Sequence, residues 1–201
     1  MLKRAHEDGK IKVSLYDPKH FTKDRKERID RRPYGGGPGM VLAPEPMLKA
    51  AQKALTKARG SSTKPGASAH VLFFSPSGKD FDAKMAKALA KKKHILMIAG
   101  HYEGVDARVQ KILKAKPISV GPYVLTGGEL PAAIVVDAVA RHVKGVLGDH
   151  NSLEENRVSS PAVYTRPAIL VWKKKKYKVP EVLTSGHHAK IEEWKKKQQR
   201  G

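Results

Sequence analysis

Three short segments combine glycine with apolar residues in a pattern that suits a ligand held by backbone groups. They are Ser75-Pro76-Ser77-Gly78, Gly100-His101-Tyr102-Glu103-Gly104 and Val120-Gly121-Pro122-Tyr123-Val124-Leu125-Thr126-Gly127-Gly128-Glu129-Leu130-Pro131. A nucleoside-containing cofactor needs N–H and C=O groups brought close to its base, and glycine permits that approach. The apolar residues between the glycines of the third segment suit an adenine ring better than phosphates. No G-x-x-x-x-G-K-[ST] occurs, which argues against a P-loop nucleotidase. Gly35–Gly39 neither follows a clear strand nor opens a helix, so it is no dinucleotide fingerprint. Each segment alone fits a plain glycine turn as well as a ligand contact. Three of them at strand ends favour a ligand site.

The elements that must position these loops follow from apolar patterning. His70–Phe74, His94–Ala99 and Ile118–Val120 read as buried strands, each running into a glycine-containing loop. Pro46–Ala58, the lysine-rich Ala83–Lys92 and Glu129–Val143 read as helices, the last with Leu130, Ile134 and Ala138 on its buried side. Strands alternating with helices predict a parallel α/β sheet covered on both faces, with ligands at the strand C-terminal ends. Ile11–Tyr16 alternates like a short half-buried strand. Arg32–Met40 is too rich in glycine and proline for helix or central strand and is expected to be a shaped loop. Asp149–Pro161 is polar and aperiodic, hence a linker, followed by a small basic segment that a helix over about His188–Gln199 closes.

Composition narrows the class. The chain has 201 residues, Lys+Arg 40 against Asp+Glu 19, a formal charge of +21 and no cysteine. Disulfides and thiolate metal sites are excluded, and a soluble cytoplasmic protein with no membrane span or secretory signal is expected. Residues 1–32 carry 11 basic and 6 acidic side chains, and residues 151–201 carry 12 and 5, so both ends are denser in positive charge than the middle. A polyanionic partner is the natural inference, against the plainer reading of a lysine-rich solvated surface. His187 and His188 are adjacent and cannot share a helical face, so no metal site is assigned there.

Several segments together resemble the signature of the bacterial tRNA (guanine-N1)-methyltransferases, the TrmD family of the SPOUT superfamily. They are Arg32–Met40, Gly100–Asp106, Tyr123–Pro131, Gly145–Gly148, Tyr164–Pro167 and Pro180–Gly186, in order and spread over nearly the whole chain. The resemblance implies a trefoil-knotted parallel α/β domain with helices on both faces over residues 1–148. A linker at 149–162 and a small, mostly helical tRNA-holding domain at 163–201 would follow. It further implies S-adenosylmethionine as methyl donor, tRNA rather than DNA as partner, and a homodimer whose subunits share the active site. The methylated base would be the guanine immediately 3′ of the anticodon. By position, Ser75, Pro76, Gly78, Gly100, Tyr102, Glu103, Val120, Gly121, Pro122, Tyr123, Val124, Leu125, Gly127, Gly128, Leu130 and Pro131 would shape the cofactor pocket.

Methylation at N1 of guanine needs a base for the N1 proton and a cationic donor for charge developing on O6. The resemblance places Arg141 as that donor, although Asp137 four residues earlier offers an ordinary helical ion pair instead. Where the family has an aspartate as base, this chain has Asn156, and an amide accepts no proton at neutral pH. Glu155 is one alternative base, if the linker shifts by one residue; in the other, Asn156 positions guanine while water takes the proton. Glu154 and Glu155 also fit plain solvated linker charges. Arg31, His101 and Pro122 stand where acidic, arginine and aspartate residues are frequent in the family, so a magnesium requirement is left open and no metal ligand is assigned. The resemblance also implies a first strand and helix ahead of Met1, and further helices after Gln199. The readings that remain are an active tRNA methyltransferase, a methyltransferase for another RNA site, and a catalytically weak RNA-binding protein that keeps the cofactor pocket.

Overall fold

A computed structural model describes residues 1–24, 27–59, 69–147 and 162–198. The chain forms two compact units, Met1–Leu147 and Gly148–Gly201. No helix among the described residues is long and apolar enough to cross a membrane.

The first unit is built on a parallel three-stranded sheet in the order β4-β3-β5, with β3 His70–Asp80, β4 Ile95–Ile98 and β5 Lys116–Ser119. Alternation along the strands fills two cores. Val71, Phe73, Leu96 and Ile98 face α2 (Pro44–Arg59) and α4 (Ala107–Leu113), around Leu42, Met47, Ala51, Val105 and Val109. Leu72, Phe74, Ile95 and Met97 face α3 (Ala83–Leu89) and α5 (Glu129–Ala140), around Ala86, Leu89, Val135 and Val139. Side chains that point to opposite faces every residue thus require cover on both faces. The mixed α/β architecture with its parallel sheet is the one the apolar runs predict.

Three local expectations are corrected. First, β3 does not stop at Phe74. Phe74 and Lys79 both lie opposite Ile118, so Ser75–Gly78 bulges out of a strand that then resumes. Pro76 has no N–H for the ladder, and a bulge accommodates that loss. Second, the buried stripe of α5 is Pro131, Val135 and Val139, while Leu130 and Ile134 are 62% and 43% exposed. This helix is apolar nearly all round, so periodicity cannot set its rotation. Third, Ile11–Tyr16 forms no strand. The Ile11 amide turns back to Ala5 O at 3.2 Å at the end of α1 (Leu2–Glu7), and Leu15 is 92% exposed.

In the second unit a hairpin of β6 (Ile169–Trp172) and β7 (Lys175–Lys178) precedes α6 (Glu181–Thr184) and α7 (His188–Gln198). Lys173 and Lys174 form its two-residue turn at φ of 47° and 63°. That is the geometry in which Asn-Gly is the usual signal, and two lysines conceal it. Tyr164 meets Trp194 of α7 at 6.4 Å between ring centroids.

Earlier in the chain, β1 (Asp30–Arg31) pairs antiparallel with β2 (Val41–Leu42), and the loop between them has positive φ at Gly35, Gly36, Gly37 and Gly39.

Candidate cofactor site

Because β3, β4 and β5 are parallel, their C-terminal ends share one edge of the sheet. The Ser75–Gly78 bulge and the loops after β4 and β5 all lie there. The segment after β5 does not stay beside its own strand. It crosses past the central β3 to reach the end of β4, where Gly128 N donates to Gly100 O at 2.8 Å and Gly127 bridges to His101.

Glycine is required at Gly128 and Gly78, where a Cβ would meet backbone. A Cβ on Gly128 would lie 2.6 Å from Ala99 Cα and 2.9 Å from Gly100 N. One on Gly78 would lie 2.5 Å from Ile118 N and 2.6 Å from Ile118 C, and one on Gly127 would meet the Glu129 carboxylate and the His101 ring. Gly121, at φ of 159°, lies so close to the Tyr123 ring that a Cβ would collide with it, and the Tyr123 hydroxyl donates to Val120 O at 3.1 Å. The joined loops form one main-chain cradle at this edge, with Val120, Pro122 and Leu125 along the segment that crosses. Tyr102, Tyr123, Val124 and Leu130 of these loops are large and exposed, and Pro131 is buried. Two shallow hollows elsewhere, one lined by Leu2, His6, Ile11 and Val136 and the other by Leu48, Gln52 and Ile112, have no part in it.

Two contacts that sequence reasoning missed hold the cradle in shape. Ser119, buried at the end of β5, donates its hydroxyl to Gly121 O at 2.9 Å and accepts from Gly121 N at 3.2 Å. A Ser two residues before a Gly at a strand end is the signal for such a turn. The glycine loop before β2 also joins the site: Glu103 N donates to Met40 O at 3.0 Å, and the Glu103 side chain fills the space a Gly39 Cβ would take. Leu42 N to Gly104 O at 3.0 Å and Asp106 N to Leu42 O at 3.1 Å extend the seam. His101 Nδ1 lies 3.9 Å from Glu129 Oε1 and stacks edge-on with Tyr102 at 4.6 Å. Beyond the seam, Arg108 donates to Asp106 at 2.7 Å and 2.8 Å, which holds the Asp106 carboxyl down at about 2.

Arg141 is not in this cluster. It caps the C-terminal end of α5, its amide bonded to Asp137 O at 3.3 Å, and no ion pair joins the two side chains. The 12 residues of α5 separate it from Gly128 by about 18 Å of helix rise. Glu154, Glu155 and Asn156 lie outside the described residues. Among the described residues no three His, Asp or Glu side chains gather as metal ligands.

A parallel α/β sheet with joined glycine loops at its strand C-terminal ends offers the usual address of a ligand site in such sheets. The model of the family "tRNA (Guanine-1)-methyltransferase TrmD" matches residues 1–201. The tRNA (guanine-N(1)-)-methyltransferase of Carboxydothermus hydrogenoformans is 42% identical over 202 residues, covering 98% of this chain and 74% of that protein. Those of Dictyoglomus turgidum and Desulforamulus reducens are 42% and 39% identical, each over 98% of this chain and 76% of theirs. The chain belongs to the TrmD family of tRNA (guanine-1)-methyltransferases.

Proposed function

We propose that this protein transfers the methyl group of S-adenosylmethionine to N1 of the tRNA guanine immediately 3′ of the anticodon. Family membership carries the reaction, tRNA guanine-N1 methylation. The observation that carries the site is the crossing of the β5 loop over β3 to Gly100, which builds the adenosyl cradle from main chain. The same crossing supports a knotted reading of the fold.

S-adenosylmethionine supplies an electrophilic methyl group on a sulfonium. The protein supplies alignment and charge. Gly100 and the turn at Gly121 present main-chain groups to the cofactor, Leu125 and Pro131 exclude water from its base, and the Ser75–Gly78 bulge closes one side. Arg141 donates to guanine O6, where negative charge grows as N1 loses its proton. Glu155 would accept that proton, and Asn156 would orient the base.

A helix length between Arg141 and the cradle supports a site completed by a second copy, with Arg141 of one subunit serving the cofactor of the other. Leu130 and Ile134, exposed on α5, are apolar surface such a partner would cover. The second unit holds the tRNA: the hairpin exposes Trp172 and Tyr177 beside Lys173–Lys176, aromatic rings and cations together. Its place is the cytoplasm. A second reading, an RNA-binding protein that keeps the cradle without transfer, draws on Asn156.

Incubation with tritiated S-adenosylmethionine and tRNA transcripts with and without guanine 3′ of the anticodon tests the proposal. Label is expected only in the former. Cofactor binding without transfer to either would support the second reading.

A further inference from the structure

Charge in the first unit is sorted along the sheet. Between Asp82 and Glu103, and again between Asp106 and Glu129, the sequence has no carboxylate. The first stretch carries Lys84, Lys87, Lys91, Lys92 and Lys93; the second carries Arg108, Lys111, Lys114 and Lys116. The acidic residues that bracket them serve the strand C-terminal edge. Asp82 and Asp106 cap α3 and α4, accepting from Met85 N at 2.6 Å and Arg108 N at 2.9 Å, and Glu129 opens α5. In a parallel α/β unit every helix starts at that edge and ends at the opposite one. The lysine turns after α3 and α4 therefore meet at the N-terminal edge, away from the cofactor cradle.

The convergence is local. His70, at the start of β3, donates its amide to His94 O at 3.0 Å and lies opposite Ile95, while Leu72 lies opposite Lys116. Burial, and then the charges of Lys92 and Lys116, hold the His70 imidazole below its ordinary pKa, so a lysine from the turn after α3 and one from the start of β5 act on one ring. Lys91, Lys92, Lys93, Lys114 and Lys116 are all exposed, and none forms an ion pair among the described residues. Lys3, Lys49 and Lys197 on other surfaces each pair with a glutamate. Helix C-termini favour a cation within the last turn. That accounts for a lysine at each helix end, and does not account for three in succession after α3 or for their mutual repulsion.

We propose that this N-terminal edge of the sheet is a second RNA-binding surface, taking phosphodiester backbone at a distance from the methylated nucleotide. The inference rests on the tRNA reading above. Phosphate contacts fix the orientation of a nucleic acid without reading its sequence, and one nucleotide entering the cradle leaves the rest of the RNA to be held elsewhere. Cations spread over two turns suit a chain of phosphates better than one small anion.

The test is the salt dependence of tRNA binding by the full chain, wild type against Lys91→Gln/Lys92→Gln/Lys93→Gln, with Lys49→Gln towards the start of α2 as control. Neutralising three phosphate contacts should flatten the slope of log affinity against log salt by about 2 to 3. At fixed low salt KM for tRNA should rise about 10-fold with kcat and cofactor affinity unchanged. The single Lys92→Gln variant, which leaves the fold least disturbed, should flatten the slope by about 1. An unchanged slope in the triple variant overturns the proposal. So does equal competition by polyglutamate and tRNA at matched charge, which would mark an acidic-protein surface instead. Failure of wild type to methylate any tRNA would sink the enzymatic reading while leaving the slope comparison to stand or fall alone.

Discussion

The Gly128 amide donates to the Gly100 carbonyl at 2.8 Å, joining the loop that leaves β5 to the loop that leaves β4 across the central strand. This bond is what makes one cradle from two loops. A side chain at Gly128 has no room, since its Cβ would sit 2.6 Å from Ala99 Cα. Gly128→Ala should therefore part the loops while β3, β4 and β5 stay paired. Titration calorimetry should show cofactor affinity lowered at least about 10-fold, a loss of roughly 1.4 kcal/mol, with the circular dichroism spectrum unchanged.

Mixed variants test whether the site is shared. If Arg141 of one subunit serves the cradle of the other, a Gly128→Ala/Arg141→Ala heterodimer has one doubly damaged site and one intact site. Co-refolding the two inactive single variants should then restore a substantial part of wild-type turnover. A mixture as inactive as its components would place both residues in one subunit's site.

The proton acceptor separates two neighbouring glutamates. Glu155→Gln should lower the single-turnover rate by about 10²-fold or more, the range of a lost general base, while Glu154→Gln should leave it near wild type. Equal rates in both variants would remove Glu155 from the mechanism.

Asp106 makes the first unit acid-sensitive. Its carboxyl, held at about 2 by hydrogen bonds from Arg108, titrates below the unfolded value of about 3.9. A depressed carboxylate contributes stability that is fully present above the unfolded value and is lost as pH falls towards the folded one. Urea denaturation should show wild-type stability falling through that window. Asp106→Asn, which keeps an acceptor for Arg108 N but loses the charge, should be less stable at neutral pH and flatter in acid.

How much of this was legible in the sequence differs by element. The strands at His70, Ile95 and Ile118 were readable because continuous apolar runs can be buried on both faces, and glycine punctuation marked the loops at their ends. The crossing to Gly100 was not readable, since it depends on strand order, which no local pattern encodes. The rotation of α5 escaped because Leu130, Ile134, Val135 and Val139 offer two apolar faces and only packing chooses between them. The hairpin escaped because Lys173 and Lys174 occupy left-handed positions that a sequence reader expects glycine or asparagine to mark. Ser119 was hidden inside a strand, where its hydroxyl looks incidental until its two bonds to Gly121 are seen.

The nucleoside composition of tRNA after reaction with S-adenosylmethionine and this protein bears most directly on the whole account. Digestion and mass spectrometry should reveal 1-methylguanosine as the new nucleoside, in a fragment that starts immediately 3′ of the anticodon. A methyl group on another guanine atom or another base, or none despite measured cofactor binding, would contradict it.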